Sequence, residues 1–182
     1  MSKIFIGMIL IFINFNIDIG TTRIGLIPSF VGYIFMLQGL AQLEGFSHRF
    51  TKIKPLAMIM LVFSIITCVL DLLGISLTAG PLFIMILGAV YMGFSLYISY
   101  NIVMGVKKIE ATEDTDLKSE SLFKAWSLLA VFSVLSSMIL FIPLVGVFMI
   151  VIGFVFAINY LIKFYHMKNL FNDMLWHKSS PE

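Results

Sequence analysis

Asp71 interrupts an otherwise apolar run, residues 55–77, about six residues before its end. On a helix that lies about 9 Å in from the end. A carboxylate at such a depth needs a partner or a proton. Arg23 and Asp18 stand near the same level, between the first two apolar runs. Two chemistries follow from these three residues. Asp71 binds a proton or cation with Arg23 as its gate, or Arg23 pairs with Asp71 or Asp18 and the group pins a surface turn onto the helices. The second is what burial of a charge asks for most directly. No other motif suggests a reaction: H-E-x-x-H, G-x-S-x-G, a P-loop and G-x-G-x-x-G do not occur. His166 and His177 lie eleven apart in a polar tail, which is no metal-ligand spacing. No catalytic residue, metal or cofactor is therefore expected.

The medium around these residues is read from composition. The chain has 182 residues, 60% hydrophobic and 12% charged, against about 45–50% and about 25% in soluble domains. A water-soluble fold of this size could not hide that excess, so lipid is the expected solvent for most of it. The formal net charge of +2 is too small to point to nucleic acid. Cys68 is the only cysteine and permits no internal disulfide.

Crossing about 30 Å of hydrocarbon takes about 20 apolar helical residues. Six runs qualify or nearly do: 3–17, 24–43, 55–77, 82–106, 122–142 and 144–164. The first is about three-quarters of a crossing by length. Its start resembles a secretory signal, but no small-x-small cleavage pattern follows, so it reads as a retained span. With the N-terminus inside, eleven of the 12 Lys and Arg residues fall on the inner side and only Arg23 outside. That is the bias expected of cytoplasmic loops. A five-span alternative with 3–17 not crossing moves only Lys3. The expected fold is an all-α integral membrane protein, a six-helix transmembrane bundle in the plasma membrane with both termini cytoplasmic.

The elements that position the ionisable residues start with the stretch 14–32. Asn14, Asn16 and Asp18 alternate with Phe15, Ile17 and Ile19, a period of two. This gives either a small β-hairpin near 15–19 and 23–27, capping the outer end of the bundle, or one more helical turn and an ordinary loop. Pro28 then opens the next helix. Gly25, Ser29, Gly32 and Gly39 fall near one helix face, and small residues let helices approach closely in lipid. Ala89 with Gly93, Ser133 with Ser137 and Gly153 with Ala157 repeat the pattern. The basic loop 44–54 reads as a topology anchor touching anionic lipid. Residues 107–121 read as a solvated cytoplasmic linker, with Asp116 capping the fifth helix. Phe164, Met167, Leu170, Phe171, Met174 and Leu175 are at helical spacing, which predicts an amphipathic tail, 164–178, on the inner membrane surface.

The run F-N-I-D-I-G, then L-I-P-S-F-V-G-Y-I and Q-G-L, resembles a group of small uncharacterised multi-spanning membrane proteins of Gram-positive bacteria. Their pattern is F-N-I-x-I-G followed by L-L-P-D-F-I-G-Y. The likeness covers about the first 45 residues and departs at Ser29, where the pattern has Asp. It implies location and topology, and carries no activity over. The expected role is a non-enzymatic accessory, sensor or scaffold subunit acting through lipid, a second copy of the chain or another membrane protein. The alternative is a small oligomeric transporter or channel using Asp71.

Overall fold

The computed structural model describes the backbone of residues 1–12, 16–19, 22–25, 28–73, 81–139 and 143–179, and side chains over 1–12, 28–70, 72–73, 83, 85–137, 148–149 and 151–179. Among these are six helices and one short hairpin. In order they are α1 (Ser2–Phe12), β1 (Asn16–Ile19), β2 (Thr22–Gly25), α2 (Ser29–Leu43), α3 (His48–Leu72), α4 (Pro81–Glu113), α5 (Ser119–Ile139) and α6 (Pro143–Ser179). The chain divides into two compact units, residues 2–98 and, with Met1, residues 99–182.

In the first unit α1 packs on α2, α2 on α3, and β2 lies beside α3. The strands are antiparallel, with Asn16 opposite Gly25, Ile17 opposite Ile24, Asp18 opposite Arg23 and Ile19 opposite Thr22. The ladder shortens the second helix relative to the run 24–43. Pro28 sits just before it with ψ 133°, an extended conformation, and a residue preceding proline disfavours helix. Gly25 therefore closes a strand and is not on the helix face with Ser29, Gly32 and Gly39. At 1.5 Å per residue, α1 spans about 16 Å and α2 about 22 Å, both less than a bilayer core.

The third helix starts seven residues earlier than the run beginning at 55. Ser47 is buried and caps it, its Oγ accepting from Arg49 N at 3.4 Å. Pro55 lies inside the helix and costs one rung of the ladder. Two stretches among the described residues, His48–Leu70 and Met85–Glu113, are long and apolar enough to cross a membrane. Only 22% of each one's most apolar part is buried within the chain. The outer turn expected at 78–81 falls mostly outside the described residues, as do 13–15 and 20–21.

The second unit holds residues 99–113 of α4 with α5 and α6. The expected linker 107–121 is helical up to Glu113, leaving Asp114–Lys118 as the connection. The physical reason is that Val106 and Ile109 extend the buried stripe of Ile102, while Lys, Glu and Ala are good helix formers. Asp114 (φ 47°) and Lys118 (φ 55°) are left-handed, and polar contacts hold that strained turn. Asp116 Oδ1 accepts from Lys118 N at 2.9 Å, and Glu110 Oε2 accepts from Ser119 N at 2.8 Å. Asp116 thus braces the turn, and Glu110 takes the capping position expected of Asp116.

The tail likewise departs from expectation. It is helical and continues α6 without a break, one of the two forms expected, the other being a bend; the departure is that its apolar face is buried within the chain. Ala157, Tyr160, Phe164, Met167, Phe171 and Met174 are buried at spacings of three and four, the seam pattern of packed helices. α5 packs on α6, and Lys178 ion-pairs with Glu113 near the end of the helix. Higher on the same helices the apolar residues are open: Val131, Phe148, Val151 and Val155 are each more than half exposed.

Candidate functional site

At the crossing of α1 and α2 two helix backbones come into direct contact. A methyl group added at Gly7 would lie 2.6 Å from Gly32 O, and one at Gly32 would lie 2.8 Å from Gly7 O. One at Gly39 would lie 2.8 Å from Ile4 N. Only hydrogen fits at these three positions, so the backbones touch. Gly32 and Gly39 act as the small-residue face predicts, and Ser29 opens the same helix. Gly7 was not read as a packing residue. Its signal was being the single small residue in the run 4–13, opposite a helix whose glycines need a flat partner. Lys3 Nζ donates to Gln38 Oε1 at 3.0 Å across the same crossing.

A second polar link was also missed. Tyr33 is 1% exposed and its hydroxyl donates to Tyr91 Oη at 3.1 Å, joining α2 to α4. A buried phenol surrounded by apolar residues seeks such a partner, and that requirement was the available signal. The Tyr91 ring also meets Phe63 of α3, centroids 6.1 Å apart. Beside it an apolar cleft of about 70 Å³ opens between α3 and α4, lined by Ile59, Met60, Phe63, Leu87, Val90 and Phe94 together with Tyr91.

The three ionisable candidates are placed by backbone. Asp18 and Arg23 are direct cross-strand neighbours, an arrangement that brings Cβ atoms to about 5 Å in such ladders. Asp71 is in the last turn of α3, the helix beside which β2 lies. The hairpin register sets Asp18 opposite Arg23. The side chains of all three lie outside the described residues.

Other small-residue pairs divide. Gly153 packs, a methyl there coming 3.2 Å from Phe132 Cε1, and Ala157 is buried. Ser133 and Ser137 bond back into their own helix, to Leu129 O and Val134 O, both at 2.7 Å. A methyl added at Gly88 or Gly93 would meet nothing within 4 Å. In the second unit Trp126 Nε1 donates to Ser99 Oγ at 3.0 Å, with the Tyr100 and Phe123 rings against it. Among the described residues no group of three His, Cys, Asp or Glu side chains converges as a metal site would.

Compared with protein families, curated proteins and solved structures, the chain matches none.

Proposed function

We propose that this chain is a multi-pass protein of the plasma membrane, crossing six times with both termini cytoplasmic, and that it serves as a non-enzymatic scaffold or accessory subunit. The observation behind this is the exposure of α3 and α4: long apolar helices, 22% buried over their most apolar parts, with their cations gathered at one end of each. Such helices are at ease only in hydrocarbon. The shortness of α1 and α2 fits the same reading. The hairpin between them satisfies its own backbone groups, so it can complete the crossing at the outer edge without unpaired amides. Motif resemblance to small multi-spanning proteins of Gram-positive bacteria agrees with it.

The described α3–α4 cleft is lined by apolar side chains alone, a surface suited to packing against lipid or a partner helix. The test is labelling of single cysteines placed at Thr21 and Thr78 in a Cys68→Ser background. Both are expected to react with an impermeant reagent from outside intact cells. Labelling only after the membrane is opened would defeat the topology.

A further inference from the structure

We propose that α3 and the α3–α4 cleft form a binding site for one anionic phospholipid, with the phosphate at His48, Arg49 and Lys52 and an acyl chain lying along the apolar stripe of α3, a few of its methylenes entering the cleft. This rests on the reading that these helices lie in lipid. The exposed side of α3 runs through residues 48, 52, 55, 59, 62, 66 and 69, at spacings of four and three, so it is one continuous stripe. It begins cationic, with His48, Arg49 and Lys52 all exposed. It becomes apolar at Met58 and Ile59, which are 57% and 56% exposed, and stays so through Val62, Ile66 and Val69.

Three features favour an anion at the cationic end. The first turn of α3 contains no acidic residue. The positive end of the helix dipole adds to the side-chain charge there. The acid preceding the helix, Glu44, is engaged by Lys54. The cleft begins at Ile59, seven residues past Lys52, or about 10 Å along the axis. That is just beyond the roughly 5–8 Å headgroup layer separating phosphate from hydrocarbon. The cleft has no polar lining, so it suits methylene groups and rejects a phosphate. Tyr97, 53% exposed and one turn past Phe94 toward the charged end of α4, sits where an interfacial aromatic belongs.

The test uses the full chain purified in detergent and exposed to phosphatidylglycerol or phosphatidylcholine with identical acyl chains, bound lipid being counted by native mass spectrometry. Phosphatidylglycerol is expected to be retained preferentially. R49Q/K52Q should weaken it by about five-fold per side chain, about thirty-fold for the pair, and remove the preference. I59W, which fills the mouth of the cleft from an exposed position, should lower retention of both lipids. Equal retention of the two lipids by the unaltered chain, a preference that survives R49Q/K52Q, or undiminished retention by I59W would overturn the proposal. Circular dichroism of each variant separates loss of lipid from loss of fold. The underlying reading fails separately, if a carbonate wash releases the chain from membranes into the soluble fraction.

Discussion

At the crossing of α1 and α2, a methyl group added to Gly7, Gly32 or Gly39 runs into backbone of the neighbouring helix; on α4, a methyl added to Gly88 or Gly93 meets open space. Both regions belong to the first unit, and both present glycines on apolar helices. The difference lies in what occupies the missing side chain's volume. In the first region the chain fills it with itself. That close approach of the two backbones is what joins α1 to α2. In the second region none of the described residues fills it.

Substitutions can break or sharpen this contrast. The largest effect is expected from Gly32→Leu, whose side chain would have to displace backbone atoms of α1; the chain should fail to give a monodisperse particle in detergent. Gly7→Ala and Gly32→Ala should each cost about 1–3 kcal/mol, the range of overpacked sites, read as a lowered midpoint of thermal unfolding. Because the two glycines meet at one point, the double variant should cost less than the sum of the singles. Additivity would show that the backbones do not touch there. Tyr33→Phe should cost about 1 kcal/mol, since it leaves the Tyr91 hydroxyl without its donor. Replacing both tyrosines by phenylalanine should recover part of that loss. The smallest effect is expected at Gly93→Ala, between no change and a gain of up to about 1 kcal/mol from helix propensity. A marked loss at Gly93 would erase the contrast and show that another surface covers α4.

Much of this arrangement was legible before any coordinates. Apolar runs located all six helices, and alternation at residues 14–19 pointed to the place where the strands lie. Gly32 and Gly39 were legible as a pair because their spacing keeps them on one face. Boundaries were less so. Pro28 and Pro55 carry the same start signal, yet one precedes a helix and the other lies inside one, since a helix can give up a rung where a capped turn precedes it. The charges of Lys107, Lys108, Glu110 and Glu113 give this stretch the composition of a solvated linker; the buried stripe through Ile102, Val106 and Ile109 shows the helix continuing beneath them. The tail's apolar face was visible, but a sequence does not say whether such a face meets lipid or protein. Tyr33 and Tyr91 are 58 residues apart, and nothing local announces a pair at that separation.

The length of α6 has a mechanical consequence. Its 37 residues make a rod of about 55 Å, and beyond Gly153 it contains neither glycine nor proline. That stretch beyond Gly153, about 39 Å long, has no joint at which rotation can be absorbed. A ten-degree change in its inclination would sweep the end bearing Lys178 through about 7 Å, so whatever tilts the greasy end of this lever also repositions the charged one.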